Sequence, residues 1–381
     1  MKRFTKMLLL GAIACMSMAF TACGGKQIEV PSDIEPAQTN EVSGADTTGA
    51  KEPEQKIAGK MGLILTTAGL GDKNFNDMSY QGMQMAKEQL GVDFDYAEPK
   101  AVSDYETVMR QYAESGDYEL IITLSSDQED ALRKVATDFP NQMFSIIDAK
   151  VELPNVNCVF TFQQEQTFLN GVLAGLATTD TANFKLANPD KHVGIIIGMD
   201  NPTQQAAQAG FVAGAKFVDK ETQVDTTTIG SFTDPAKGIT MASSMYATGA
   251  DIIHHFCGAT GLGIFTASKN ENKYAIGAGM SQNPIEPDHI ISTSERKVYE
   301  IVFNELKKMA EGQWTAGIVT LGLVDNAVGY TFEGSNVKIP DEIVQKMEAA
   351  KKYIVDNKVE IPAKLEDVDA WVEIHNISKI K

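Results

Sequence analysis

The sequence has few cysteines and few basic residues, and it contains no apolar run long enough to cross a membrane as a stable helix. Only 4 of its 381 residues are cysteine, too few for a disulfide framework. Lysine and arginine number 33 against 51 acidic residues, which gives a formal net charge of −18 at pH 7. Such a surface repels phosphate backbones, so nucleic acid is excluded as a partner. With 43% hydrophobic residues, the chain can still build a large core, and its length suits two packed lobes.

Familiar catalytic and cofactor motifs are also missing. A dinucleotide site needs G-x-G-x-x-G, but Asn74 stands where the third glycine belongs after Gly69 and Gly71. The sequence has neither a P-loop nor a G-x-S-x-G turn. His255 and Cys257 alternate onto one face of a strand, but no further ligands stand at a metal-site spacing, so buried histidines are the preferred interpretation. We therefore predict a protein that is not an enzyme and that needs neither a cofactor nor a metal.

The first residues have the features of a targeting segment. Three basic residues within the first six precede an apolar run at 7–20, which ends in Phe-Thr-Ala-Cys at 20–23. Small residues followed by cysteine resemble the lipobox of bacterial lipoproteins, and the alternative is an ordinary cleaved signal with a chance cysteine. We predict that residues 1–22 form a signal peptide and that Cys23 carries a lipid. This anchor would be the only membrane attachment and would hold the chain at the extracytoplasmic face of the cell membrane.

The next stretch, at 23–57, is predicted to be a disordered acidic tether. It is rich in Glu, Asp, Pro, Thr and Gly and has no aromatic residue, so it cannot bury enough surface to offset the entropy of ordering. Two cysteines remain beyond it, Cys158 and Cys257, each within an apolar segment. We predict two buried thiols that behave as small hydrophobic side chains.

From residue 60 onward, short apolar segments alternate with amphipathic ones, which predicts an α/β fold with doubly wound parallel sheets. The alternation occurs in two successive series, so we predict two similar lobes. Predicted strands lie at 61–66, 94–96, 120–124, 143–147, 156–162, 193–197, 227–229, 252–256 and 274–277. Predicted helices lie at 75–90, 105–114, 128–139, 167–177, 204–218, 236–247, 264–269 and 342–357.

Four polar or glycine-rich loops follow predicted strands, at 68–77, 125–130, 198–202 and 257–263. In parallel sheets, ligands collect at the carboxyl ends of strands, where helix N-termini present free N–H groups. Each loop also has a structural explanation, because Asn and Asp cap helices and glycines allow tight turns. Their combination predicts a binding cleft between the lobes.

These loops resemble the basic membrane protein family of binding lipoproteins, whose better-known members deliver nucleosides to ABC transporters. The resemblance covers roughly residues 58–330. The matching stretches are Gly-Asp-Lys-Asn-Phe-Asn at 71–76, Pro-Asn at 154–155, Phe-Leu-Asn-Gly-Val-Leu-Ala-Gly at 168–175, Ala-Gly-Phe-Val-Ala-Gly at 209–214, Gly-Ser-Phe-Thr-Asp-Pro-Ala-Lys-Gly at 230–238 and Thr-Gly-Leu-Gly at 260–263.

Membership of this family implies a type I periplasmic-binding-protein fold, whose two lobes close on a ligand by a hinge motion. We assign 58–162 and about 282–293 to the first lobe, and 163–281 and about 294–381 to the second. The implied function is that of a solute-binding protein of an ABC importer, with a small-molecule ligand and with the importer's permease and ATPase as partners. We expect a monomer.

The resemblance also implies roles for individual residues. Phe75 matches the aromatic residue that stacks on a base, and Asp72 and Asn76 match groups that hydrogen-bond the ligand. Asp130 resembles the acid that binds the base edge, although Asp127 is close by. Gly258, in the loop after a predicted strand, is also placed in the site.

Other positions depart from the nucleoside-binding pattern. Ala207 stands where a second stacking Phe is expected, Gly279 replaces an acid that would bind ribose hydroxyls, and Arg296 stands where a Lys is expected. These changes weaken the expectation of a nucleoside. Phe256 ends its strand where relatives more often carry a small residue, so we hypothesise that it supplies the missing aromatic wall, the alternative being a core Phe.

A purine nucleoside is the first expectation for the ligand, and another small polar metabolite with a planar part is the second. An importer component for a non-nucleoside ligand therefore stays open. A surface receptor with the same fold, which senses its ligand for a membrane kinase, is the alternative from a different functional class.

Overall fold

A computed structural model gives the structure of residues 59–72 and 74–380. The predicted signal peptide at 1–22, the lipidation site Cys23 and the predicted tether at 23–57 lie outside the described residues. None of the described helices is both long and apolar enough to cross a membrane.

The first lobe is built on a sheet of six strands, all paired in parallel. From Leu120 to Leu124 every residue of a central strand is fully buried, because helices cover both faces of the sheet. In spatial order the strands are β11 (Gly317–Leu321), β5 (Val156–Thr161), β4 (Met143–Ile147), β3 (Tyr118–Leu124), β1 (Lys60–Ile64) and β2 (Phe94–Ala97). The helices are α1 (Phe75–Leu90), α2 (Tyr105–Ser115), α3 (Glu129–Asp138) and α8 (Val298–Ala310).

The second lobe repeats this architecture with a sheet of six strands, of which one edge strand is antiparallel. In spatial order the strands are β12 (Val328–Thr331), β10 (Ile290–Arg296), β9 (Tyr274–Gly279), β8 (Ile252–Phe256), β6 (His192–Ile197) and β7 (Gln223–Thr228). The helices are α4 (Gln163–Ala177), α5 (Pro202–Val218), α6 (Pro235–Ala247), α7 (Gly261–Asn270), α9 (Asp341–Asp356) and α10 (Leu365–Ile374). The predicted α/β fold with two parallel-sheet lobes is therefore confirmed.

Two helices of the second lobe, α4 and α5, pack backbone against backbone. A Cβ atom added to Gly214 would lie 2.0 Å from the carbonyl oxygen of Phe168, and one added to Gly171 would lie 2.2 Å from that of Phe211. No side chain fits at such distances, so both positions require glycine. This contact explains the small residues in the family-like stretches at 168–175 and 209–214.

The chain crosses between the lobes three times, after β5, after β10 and after β11. The predicted lobe boundaries are wrong in the C-terminal part. Residues 282–293 were assigned to the first lobe, but Ile290–Arg296 pairs with β9 and β12 of the second sheet. Part of 294–381 was also misplaced, because α8 packs on α1 and β11 pairs with β5 of the first sheet. Strand and helix alternate in the same way on both sides of a crossing, so periodicity does not show which sheet a strand joins.

Most predicted elements are present with small shifts at their ends. The helix predicted at 75–90 and the strand predicted at 143–147 match to the residue, whereas α4 begins four residues before the predicted Thr167. Five elements near the C-terminus were not predicted, namely β10, α8, β11, β12 and α10. Cys158 and Cys257 are both buried and free, as predicted.

Candidate ligand-binding site

A cavity of about 560 Å³ lies where the carboxyl ends of the two sheets face each other. Its volume is in the range of sites for small ligands. Both lobes contribute to its lining. From the first lobe come Thr66, Thr67, Ala68, Asn74, Phe75, Met78, Ser125, Asp127, Asp148 and Val298. From the second lobe come Gln163, Gln166, Thr203, Gln204, Phe232, Phe256, Cys257, Gly258, Ala278, Gly279 and Arg296.

An ion pair joins the two lobes within this lining. The guanidinium of Arg296, at the end of β10, donates to both carboxylate oxygens of Asp148, which follows β4, at 2.7 and 2.6 Å. The paired, two-point geometry is the strongest kind of Arg–carboxylate contact. Asp148 has a φ of 69°, a conformation uncommon for a residue other than glycine. The same guanidinium lies 5.5 Å from the ring centroid of Phe75, which fixes one face of that ring.

A second carboxylate, that of Asp127, is oriented by a buried tyrosine. Tyr105 is fully buried in α2, and its hydroxyl donates to Asp127 Oδ2 at 2.8 Å. The same oxygen of Tyr105 accepts the backbone N–H of Thr67 at 3.0 Å. Burial and the neighbouring carboxylate of Asp127 raise the pKa of Tyr105 to about 12, so it stays a neutral donor. Tyr105 thereby connects the loops after β1 and β3.

Three phenylalanines line the cavity, one from the first lobe and two from the second. Phe75 begins α1, Phe256 ends β8, and Phe232 lies in the loop before α6. Phe232 is 41% exposed, and its ring covers Gly198, where an added Cβ would lie 2.1 Å from the ring. Aromatic rings on opposite lobes can enclose a planar ligand between them.

Four predicted site residues line the cavity, namely Phe75, Phe256, Gly258 and Arg296. Their contact with a ligand stays a prediction. The position of Phe256 agrees with the hypothesis of an aromatic wall. Ala207, in contrast, is fully buried in α5 away from the lining, and its carbonyl accepts the hydroxyl of Thr167.

The predicted residues Asp72 and Asn76 do not line this cavity. Instead, their side chains stabilise the loop that carries the lining residues Asn74 and Phe75. Asp72 accepts the backbone N–H groups of Asn74 and Asn76, both at 2.9 Å, and so caps the start of α1. Asn76 is 1% exposed, and its side chain accepts the N–H of Thr66 and donates to the Thr66 hydroxyl, both at 2.9 Å. Direct hydrogen bonds from Asp72 and Asn76 to a ligand in this cavity are not supported.

The other predicted carboxylate, Asp130, is exposed in the first turn of α3 and is not part of the lining. Asp127, three residues earlier, occupies the lining position. The sequence analysis missed Asp148 and Phe232. Asp148 directly follows a predicted strand, and Phe232 lies within a family-like stretch, so both positions carried a usable signal.

The two histidines of β8 are buried and hydrogen-bonded within the lobe. Burial lowers the pKa of His254 to about 3 and that of His255 to about 4, which keeps both rings neutral at pH 7. His254 Nε2 lies 3.0 Å from the Ser294 hydroxyl, and His255 Nε2 lies 2.7 Å from Gln282 Oε1. Among residues 59–72 and 74–380, no three His, Cys, Asp or Glu side chains are grouped as metal ligands.

The family of the chain follows from comparison with known proteins. The Bmp family model, described as ABC transporter substrate-binding protein PnrA-like, matches residues 60–364. The chain belongs to this family.

Two curated relatives are similar to this Bmp-family chain over most of its length. An uncharacterized lipoprotein of Pyrococcus abyssi is 30% identical over 84% of this chain and 84% of its own length. The ABC transporter nucleoside-binding protein BmpA of Lactococcus lactis subsp. cremoris is 28% identical over 84% of this chain and 92% of its own length.

Solved structures agree with the Bmp-family fold. An ABC transporter solute-binding protein of Aeropyrum pernix K1 has a TM-score of 0.68 and 24% identity, over 84% of this chain and 99% of that one. A solute-binding protein of Conexibacter woesei has a TM-score of 0.66 and 21% identity, over 80% of this chain and 99% of that one. At these identities the likeness shows the fold alone.

Proposed function

We propose that this protein is a lipid-anchored, extracytoplasmic binding protein that captures a nucleoside, or a similar small molecule with a planar part, for an ABC importer. It catalyses no reaction and uses no cofactor. Membership of the Bmp family supports the role in transport. The name of the Lactococcus lactis relative, a nucleoside-binding protein, supports the choice of ligand class.

One observation carries the proposal: the interlobe cavity combines three aromatic rings with two separately positioned carboxylates. The face of Phe75 away from Arg296 is the stacking surface for the base, a contact worth about 1–3 kcal/mol. Asp127 accepts hydrogen bonds from the base edge, and Tyr105 fixes its orientation. Phe232 and Phe256 approach from the second lobe when the hinge closes.

The charges of the lining favour a neutral ligand. Arg296 is the one cationic side chain among the described lining residues, and both of its terminal nitrogens are engaged by Asp148. A phosphate group would therefore have to compete with a two-point ion pair. An unphosphorylated ligand avoids this competition.

The N-terminal sequence and the family support the proposed attachment and partners. Cleavage before Cys23 would leave a lipidated cysteine followed by the tether at 23–57, and the Pyrococcus abyssi relative is also described as a lipoprotein. The folded part, as a monomer, would then deliver its ligand to a membrane permease driven by an ATPase.

Calorimetric titration of the chain from residue 59 onward, preceded by a thermal-shift screen of nucleosides, bases, sugars and nucleotides, tests the proposal. A ligand that binds only the folded state raises the melting temperature. We expect a shift with a purine nucleoside and a much smaller one with its 5′-monophosphate. No binding of any nucleoside would overturn the ligand class.

Two variants test the assigned positions. Phe75→Ala and Asp127→Asn should each weaken binding about tenfold or more, because each removes a direct contact. Asp130→Asn is the matched control, since this carboxylate lies three residues away but outside the lining, and it should bind like the parent protein. An equal loss in Asp130→Asn would contradict the assignment to Asp127.

A further inference from the structure

A second cavity, of about 660 Å³, adjoins the first between the same two lobes. The two cavities share Asn74 and Gly258 as lining residues. Gly279 lines the first cavity and the next residue, Met280, lines the second. The binding cleft is thus longer than the cavity described above.

The passage between the cavities depends on Gly279. A Cβ atom added there would lie 2.5 Å from the side-chain oxygen of Asn74, so any side chain would collide with the residue that both cavities share. Gly279 also has a φ of 99°, which strongly favours glycine. The acid expected at this position from the family resemblance would stand between the cavities.

The polar side chains of the second cavity are largely engaged by the protein. Both carboxylate oxygens of Asp72 accept backbone N–H groups at the start of α1. The Ser281 hydroxyl donates to the carbonyl of Glu333 at 2.9 Å, and Gln282 Oε1 accepts the N–H of Ala278 at 2.9 Å.

Apolar surface remains available to a ligand in this cavity. Leu262 is 43% exposed and Ile285 is 48% exposed, and Ala259, Met280 and Pro284 complete this side of the wall. Met280 also packs against the hydrophobic core of the first lobe, which brings the two lobes together at this end of the cleft.

We infer that the second cavity accommodates a small apolar substituent on the sugar end of the ligand. This inference rests on the proposed function. Phe75 and Asp127, the groups proposed to bind the base, line the first cavity only, so a nucleoside bound there directs its sugar toward Gly279 and the second cavity. The ligand class is therefore nucleosides that carry an apolar group in place of the 5′-hydroxyl.

Isothermal titration with adenosine and guanosine, each compared with its 5′-deoxy-5′-methylthio derivative, tests this inference. We expect at least one derivative to bind about tenfold more tightly than its parent nucleoside, because the methylthio group leaves water for an apolar wall. Leu262→Asn and Ile285→Asn should each reduce this gain to about threefold or less and leave the parent's affinity unchanged. Ile318→Asn is the matched control, since Ile318 is also 48% exposed but lies on β11 outside both cavities, and it should keep the full gain.

The outcomes separate this inference from the proposed function. Binding of a parent nucleoside without any gain for its derivative overturns the inference and leaves the proposed function standing. A gain that persists in both variants also overturns it, and the apolar side chains then serve another surface, such as one for a protein partner. Absence of binding for all four compounds overturns the inference together with the expectation of a purine nucleoside, and the thermal-shift screen then decides whether the proposed ligand class stands.

Discussion

The two lobes share one architecture but bury their polar groups differently. In the first lobe the carboxylate of Glu305 is almost fully buried, and it accepts hydrogen bonds from Ser145 Oγ at 2.7 Å, Asn157 Nδ2 at 2.8 Å and Lys308 Nζ at 3.0 Å. In the second lobe the buried rings of His254 and His255 hydrogen-bond to the uncharged side chains of Ser294 and Gln282. The other ring nitrogen of His254, Nδ1, has no hydrogen-bond partner among the described residues.

The first lobe thus surrounds a buried carboxylate with donors, whereas in the second lobe burial keeps the rings of His254 and His255 neutral at pH 7. A buried charge is tolerated when donors surround it, and a buried group without them changes its pKa instead. The lobes also differ in helix packing. The α4–α5 contact has glycines at 171, 175, 210 and 214 against backbone or side-chain atoms, whereas the α1–α8 contact has one, Gly82, whose added Cβ would lie 2.6 Å from a carbonyl oxygen.

The largest effect is expected from a substitution that prevents the close contact between α4 and α5. Gly214→Ala places a methyl group 2.0 Å from the Phe168 carbonyl and should lower the free energy of unfolding by about 4 kcal/mol, because α4 and α5 must separate. Urea unfolding monitored by circular dichroism measures this loss. Gly329→Ala, in the same lobe with open space around its Cβ position, should change stability by less than about 1 kcal/mol. Similar losses in the two variants would contradict this account of the helix contact.

The next largest effect concerns the buried carboxylate of Glu305 in the first lobe. Glu305→Ala leaves Asn157 and Lys308 without their acceptor and should cost about 3 kcal/mol of unfolding free energy. Glu311→Ala is the control, because its carboxylate lies 3.9 Å from Lys307 at an exposed position just after the same helix. That control should change stability by less than about 0.5 kcal/mol. A loss below 1 kcal/mol for Glu305→Ala would mean that the buried carboxylate is not a structural centre of the first lobe.

Three buried titratable groups of the second lobe, His254, His255 and Asp251, predict how the stability of the protein varies with pH. His254 and His255 have folded pKa values of about 3 and about 4, below the ordinary 6.5. Their contribution to the free energy of unfolding is therefore complete above pH 6.5 and is lost as the pH falls toward 4. Asp251 acts in the opposite sense. Burial raises its pKa from 3.8 to about 6, so its contribution to stability decreases as the pH rises between these values.

In Asp251→Asn, the free energy of unfolding should therefore rise between pH 4 and pH 6.5 by about 2 kcal/mol more than in the parent protein. Urea midpoints at several pH values measure this slope. Asp190→Asn, an exposed carboxylate in the same lobe, should leave the slope unchanged. An unchanged slope in Asp251→Asn would show that this carboxylate titrates normally in the folded protein.

The smallest effect is expected from a substitution that removes the hydrogen bond between Tyr105 and Asp127 in the cleft. Tyr105→Phe removes the donor that orients Asp127 and should weaken nucleoside binding about fivefold, equivalent to one hydrogen bond of about 1 kcal/mol. Tyr112→Phe, on the same helix with its ring stacked on Tyr118, should not alter the affinity. Calorimetric titration compares the two variants. Equal affinities would show that Tyr105 is not needed to orient Asp127.

The fold was largely predictable from the sequence because buried parallel strands are short apolar runs separated by amphipathic helices. The strand β10 was not predicted and its residues were assigned largely to the first lobe, because the sheet that a strand joins is decided by tertiary contacts, here with β9 and β12, and not by its local pattern. In the site, Phe75 and Arg296 were predicted from the family resemblance and line the cavity. Asp72 and Asn76 belong to the same motif but stabilise the loop, and sequence alone does not separate a residue that shapes a site from one that lines it.

The three crossings between the lobes also determine the order in which the protein can fold during synthesis. Ser145 meets Glu305 across 160 positions of sequence, and the edge strand β11 joins the first sheet only when residue 321 is available. The ribosome releases the N-terminal part first, yet the five consecutive parallel strands of the second sheet are complete at residue 296. The first lobe therefore starts first but stays incomplete until after the five parallel strands of the second sheet have been synthesised. Until α8 arrives, the apolar face around Met78 and Met83 stays uncovered, and a nascent chain needs protection there from aggregation.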